Sequence, residues 1–217
     1  MSGRGGRGPA RSFFDVWSSF YDLRLVQALV YRPVQDAVVR ALRARRPTSV
    51  LDVGCGTGIL TTRLAGELPD VRVVGADFSE QMLGQARQRD PDLAWVTADG
   101  QRLPFRGGRF DAVVSTESFH WLPDQPAALR EFRRVLAPGG TLLIAVVNPP
   151  ARVFSATADR YAELAGQPAH WPTQREMRRL VTGAGFTVAS QRAVFRLPAS
   201  PLLPPVLTVA RVPAGPG

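Results

Sequence analysis

The chain of 217 residues has almost none of the side chains with which small proteins staple or metallate themselves. Cys55 is its only cysteine, so no disulfide can close within the chain. Its place inside a glycine-rich turn marks it as a small loop residue rather than a catalytic thiol or metal ligand. The two histidines, His120 and His170, stand far apart, and no metal site is expected. No apolar run is long enough to cross a bilayer, and residues 1–9 lack the hydrophobic core of a secretion signal, so a cytoplasmic location is expected. Lysine is missing altogether: all 27 basic residues are arginine. The net charge of +9 invites a nucleic-acid reading, helped by the Arg/Gly-rich residues 1–11, which are expected to be disordered. Alanine, glycine and proline are also plentiful, so the arginine excess fits a GC-rich coding bias at least as well as phosphate contact. Arg40, Arg43, Arg45 and Arg46 scatter over a predicted helix as a solvated face does. Nucleic acid is therefore not an expected partner.

A hydrophobic content of 45% is enough to bury a substantial core without staples. Residues 50–61 give the most informative segment, an apolar strand that ends in a turn carrying Gly54, Gly56 and Gly58 and runs straight into a helix. Glycines at alternate positions admit backbone angles closed to other residues and let a ligand approach the main chain. A dinucleotide-binding turn would read G-x-G-x-x-G, but Ile59 and Thr61 stand where the two possible registers need their third glycine.

Residues 71–79 form a second apolar run that closes on Asp77, where an acid at a strand tip can accept ribose hydroxyls. Ser79 is the predicted cap of the next helix, with Glu80 in its first turn. A third strand leads to Asp99 and Gly100, and a fourth to Ser115 and a loop carrying His120 and Trp121. Residues 127–136 then read as an amphipathic helix, followed by a Pro138-Gly139-Gly140 turn and a fifth strand. Strands alternating with helices predict an α/β, doubly wound, mostly parallel sheet, with ligands held outside the carboxyl ends of the strands.

From about residue 48 to 147 these segments resemble the class I S-adenosylmethionine-dependent methyltransferases, in particular the small-molecule branch. Asp52-x-Gly54-x-Gly56-x-Gly58 is similar to that family's first motif. The resemblance implies a Rossmann-like sheet of seven strands with a C-terminal antiparallel hairpin, and S-adenosylmethionine as cofactor. It further implies that the glycine turn and Asp52 meet the methionine end, Asp77 the ribose, and Phe78, Met82, Asp99 and Gly100 the adenine. Ser115 would line the same pocket. Residues 13–22 resemble the family's entrance helix, where Tyr21 would approach the methionine end and Trp17 would wall the acceptor with Trp121.

His120 is the candidate acid or base for an acceptor hydroxyl or acidic carbon, with pocket shape as its alternative role. The expected layout is one domain over residues 12–217: a helical cap at 12–46, a cofactor-binding core at 47–147, a variable lid at 148–172, and a C-terminal helix and strands at 173–217. Pro33 is expected to kink the cap helix or open a second one, and the last strands to lie near 186–190 and 206–212. The predicted activity is methyl transfer to a small molecule with release of S-adenosylhomocysteine. A non-catalytic cofactor-binding or RNA-associated protein, or a nucleotide-cofactor oxidoreductase, are the alternatives.

Overall fold

The computed structural model describes residues 31–149, 151–164, 169–194 and 205–214. The predicted sheet is present. Its strands are β1 (Ser49–Val53), β2 (Arg72–Asp77), β3 (Ala94–Thr97), β4 (Phe110–Thr116), β5 (Leu136–Val147), β6 (Thr187–Ala193) and β7 (Pro205–Arg211). They lie in the order β3-β2-β1-β4-β5-β7-β6. The β1–β2, β1–β4, β2–β3 and β4–β5 pairs are parallel, whereas β7 runs antiparallel to both β5 and β6. The chain builds outward from β1 to β3 on one side and from β4 to β5 on the other. The strand order therefore reverses between β1 and β4, and a crevice opens beyond their carboxyl ends.

Both faces of the sheet are covered, which is why the central strands read as nearly continuous apolar runs. Val50, Ala112, Val114 and Leu143 pack with α1 (Arg32–Arg43) and α2 (Ile59–Glu67). Leu51, Val113, Leu142 and Ile144 face the other way, onto α4 (Gln125–Val135) and α6 (Gln174–Gly183). Two-residue alternation thus divides the buried apolar side chains of β1, β4 and β5 between two cores. Helix α3 (Glu80–Arg89) crosses from β2 to β3, and α5 (Arg152–Leu164) follows β5.

Several boundaries have local causes. Pro33 sits in the first turn of α1, so it opens that helix. The Ser79 hydroxyl accepts the Met82 amide at 3.3 Å, making it the cap predicted for α3. Helix α4 begins at Gln125, earlier than expected, because the Asp124 carboxylate accepts the Ala127 amide at 2.8 Å. The Pro138-Gly139-Gly140 element is a bulge inside β5 rather than a turn before it: Phe110 faces Leu136, and the next paired residue, Ala112, faces Thr141. Thr173 and Glu176 cap each other at the start of α6. Strand β6 extends past the expected residue 190 to Ala193, and most of the proline-rich link before β7 lies outside the described residues.

Gly58 caps α2 with φ +79°, and a Cβ on it would lie 2.4 Å from the Trp95 ring. Gly66, inside the same helix, faces open space. Gly58→Ala is expected to cost on the order of 2 kcal/mol or more through backbone strain and overpacking. Gly66→Ala should instead stabilise by about 0.5–1 kcal/mol. Urea unfolding of both variants checks the contrast.

Candidate functional site

The turn after β1 is built into the sheet edge. The Gly54 and Cys55 amides both donate to the Ala76 carbonyl, at 2.8 and 3.1 Å. A Cβ on Gly54 would fall 2.3 Å from Ser118 Oγ, so this glycine is required by the loop after β4. Above Gly56 the same construction meets only Met82 Sδ, at 3.8 Å. The turn is therefore tight against protein at Gly54 and Gly58 and bare at Gly56, where a side chain would make only one ordinary van der Waals contact. Trp95, which the sequence reading passed over, packs beneath it: its ring also lies 2.5 Å from where a Gly75 Cβ would stand, and its Nε1 donates to the Asp90 carbonyl at 2.8 Å. Burial and the charges of Asp52 and Asp77 push the Cys55 thiol well above its ordinary value, so it is protonated at neutral pH.

Of the three predicted acids, Asp52 and Asp77 sit on the adjacent strands β1 and β2 and Asp99 in the turn just after β3, in three different environments. Asp52 is buried in β1, and its Oδ2 accepts the Thr61 hydroxyl at 2.7 Å, while Oδ1 is enclosed without a partner. Burial raises its pKa to about 7, against the Thr61 hydrogen bond and with a further push from Asp77. Asp77, buried at the tip of β2, accepts the Gly56 amide through Oδ2 at 2.8 Å and the Ser79 amide through Oδ1 at 2.9 Å. Burial raises its pKa, opposed by those amides and that of Phe78. An ionised carboxylate has about four acceptor positions, so with these three amides in place Asp77 keeps about one for a ligand hydroxyl. Asp99 is exposed and accepts the Gln101 amide at 2.8 Å.

Around these acids, Phe78 is 41% exposed, a rare state for a large apolar side chain here, and Met82 is buried below Gly56. Gly100 is buried where a Cβ would lie 3.1 Å from Leu122 and 3.3 Å from Val53. The buried Ser115 hydroxyl pairs with Ser118 Oγ at 2.8 Å, and Ser118 Oγ in turn bonds the Val53 carbonyl at 3.1 Å. Ser115 thus braces the turn through a hydrogen-bonded relay. Trp17 and Tyr21 lie outside the described residues.

After β4 the chain makes a short 3-10 turn, Phe119–Trp121. Phe119 enters the core, and the His120 ring is enclosed, stacked on Trp171 with centroids 4.8 Å apart and tilted against Trp121 at the same distance. His120 Nδ1 is buried without a partner, and burial lowers the ring's pKa to about 3. At neutral pH the ring is uncharged and weakly basic. The His170 amide donates to the His120 carbonyl at 2.8 Å, and Gln125 Nε2 donates to the His170 carbonyl at 2.8 Å. Asp159 of α5 holds this segment with the Trp171 amide on one oxygen and His170 Nδ1 on the other, both at 2.9 Å.

Glu117 was not singled out from sequence. It follows β4 with φ +50° and joins Tyr31, Gln35, Gly54, Cys55 and Thr116 in lining a cavity of ≈ 20 Å³ beside the glycine turn. Burial raises its pKa to about 8, opposed only by the Val147 amide. Its signal in the sequence is the one that marks Asp77: an acid closing an apolar run.

A methyltransferase-domain family matches residues 51–144. The demethylmenaquinone methyltransferase of Streptomyces griseus is 31% identical over 206 residues, covering 83% of this chain and 87% of that protein. The malonyl-[acyl-carrier protein] O-methyltransferase of Geobacter sulfurreducens is 37% identical over 145 residues, covering 64% and 53% respectively. Among solved structures, the N-methyltransferase NodS of Bradyrhizobium japonicum, in complex with S-adenosyl-L-homocysteine, superposes with a TM-score of 0.72 at 20% identity, covering 94% of this chain and 98% of that one. At that identity the likeness is one of fold.

The Asp52 environment makes a pH prediction. Its folded-state pKa of about 7 lies above the ordinary 3.8. Between these values the unfolded chain releases a proton that the folded protein retains, so stability falls as pH rises through this window. Asp52→Asn should lose less stability than the parent on going from pH 4.5 to 7.5, by about 1 kcal/mol or more. Urea midpoints of the ligand-free proteins at both pH values check it.

Proposed function

The chain belongs to the class I S-adenosylmethionine-dependent methyltransferases, and from that premise we propose that it transfers the methyl group of S-adenosylmethionine to a small-molecule acceptor and releases S-adenosylhomocysteine. The observation that carries this reading is the bare Gly56 backbone flanked by two enclosed carboxylates at the β1/β4 switch point. One of them, Asp52, has an oxygen still lacking a donor. These residues fit the cofactor. Asp52 would receive its amino-acid end, Asp77 its ribose hydroxyls, and the exposed Phe78 face its adenine, with Asp99, Gly100 and Met82 around the ring. Tyr21 would close on the methionine end.

When bound, the cofactor supplies a strongly electrophilic methyl group on a sulfonium centre, so the protein's task is alignment and exclusion of water. We assign His120 to the wall of the acceptor site with Trp121, Trp171 and Trp17. The enclosed, uncharged imidazole offers a flat face and little basicity, which favours shape over proton transfer. A small-molecule acceptor is supported by relatives named for demethylmenaquinone and malonyl-[acyl-carrier protein]. Among the described residues no helix is long and apolar enough to cross a membrane, and we place the reaction in the cytoplasm.

Calorimetry with S-adenosylmethionine, S-adenosylhomocysteine and NADH tests the reading: micromolar binding of both sulfur compounds and none of NADH is expected, and the reverse order would refute it. Hydrogen bonds to a charged acceptor contribute roughly 1.5–3 kcal/mol each. Asp77→Ala should therefore weaken S-adenosylhomocysteine at least about tenfold. Because Asp77 also holds the Gly56 and Ser79 amides, the same variant should melt at a lower temperature than the parent.

A further inference from the structure

We infer that Glu117 reads the charge of the bound cofactor: its carboxylate faces the sulfonium and favours the cationic methyl donor over the neutral thioether product. The inference rests on the methyltransferase reading and adds to it a residue that discriminates donor from product.

Four observations support it. The first is position. Glu117 leaves the carboxyl end of β4, next to β1 at the point where strand order reverses, and shares its cavity with Gly54 of the glycine turn. Its neighbour Ser118 is pressed so closely on Gly54 that no side chain fits between them. Glu117 is thus fixed beside the segment to which the methionine portion is assigned, with its carboxyl on the Val147 amide.

The second is backbone conformation. Among the described residues only Arg46 and Glu117 are non-glycine residues with positive φ, both at +50°. Glycine or asparagine would hold that angle more easily. Here it is imposed by the Glu117 amide donating to the Ala145 carbonyl at 2.8 Å and by Ser118 Oγ on the Val53 carbonyl. A backbone outlier at the mouth of a crevice points to a functional role for the side chain it carries.

The third is the absence of a charge partner. Among the described residues no arginine pairs with Glu117, although arginine is abundant, and the ionisable neighbours in the cavity are both acids: Cys55, and Tyr31, whose pKa is raised to about 12 by burial and by Glu117. A carboxylate taken from water without a cation is costly, and a ligand cation offsets that cost. The fourth is the chemistry. As the acceptor's lone pair forms its bond to the methyl carbon, the carbon–sulfur bond breaks and its electron pair stays on sulfur. The sulfonium thereby becomes a neutral thioether. A carboxylate beside the sulfur holds the donor and loses its attraction to the product after transfer, which speeds product departure.

The test needs no acceptor. Parent, Glu117→Gln and Glu117→Asp are titrated calorimetrically with S-adenosylmethionine, S-adenosylhomocysteine and sinefungin, in which a protonated amine stands in place of the sulfonium. Glutamine retains the size and the acceptor for the Val147 amide. Glu117→Gln should weaken S-adenosylmethionine and sinefungin by about tenfold or more and S-adenosylhomocysteine by less than about threefold, whereas Glu117→Asp should keep the parent's order. Equal weakening of all three ligands, or of none, overturns the inference while leaving the methyltransferase reading intact. A parent that binds none of them overturns both. Should Glu117→Gln fail to fold, Glu117→Asn against Glu117→Asp repeats the contrast with two residues suited to the left-handed angle.

Discussion

The Asp77 carboxylate accepts the Gly56 amide with one oxygen and the Ser79 amide with the other, and so ties the tip of β2 both to the turn after β1 and to the first turn of α3. The bare backbone at Gly56, the Ser79 cap and the Phe78 side chain between them all take their places from this one group. Charged acceptors make the stronger class of protein hydrogen bond, and burial keeps water from competing for these two. The residue assigned to the ribose is therefore also a structural brace. Affinity and the shape of the crevice are linked through it.

Around that brace the architecture supplies a rigid floor. Alternation along β1, β4 and β5 divides the apolar side chains between two cores, so the strand ends at the switch point are fixed from both faces. Polar groups fill the edge that the cores leave. Ser115, Ser118 and the Val53 carbonyl form one relay, Thr61 and Asp52 another, and each satisfies a group that would otherwise be buried without a partner. Asp52 Oδ1 and His120 Nδ1 are among the exceptions, each enclosed without a partner.

What could be read from sequence follows from how local each signal is. The run from β1 through the glycine turn into α2, the Ser79 cap and the order of strands and helices are written in consecutive residues, and the structure reproduces them. The Asp124 cap was also local, but the apolar periodicity of α4 masked its start. Contacts that cross the fold left no such trace. Nothing near Gly58 or Gly75 announces Trp95 as the ring that fills the space beneath them. Nothing near His120 announces Trp171, which removes much of its basicity by covering it. Glu117 carries a local signal as an acid after an apolar run, but its left-handed backbone occurs without the glycine or asparagine that would have drawn attention.

The two halves of the site are fastened by different forces. The cofactor crevice is knitted into both apolar cores, whereas α5, among the described residues, gives no side chain to either of them. That helix is held to the segment over His120 through polar groups, Asp159 on His170 and Trp171 and Ser155 on the Trp171 carbonyl, and Asn148 after β5 adds a bond to the Pro172 carbonyl at 2.7 Å. Such attachments can be exchanged a few residues at a time without opening a void in the core. A cover fastened this way can loosen or shift as a unit while the two apolar cores beneath the crevice stay closed, so mobility is confined to one side of the sheet edge.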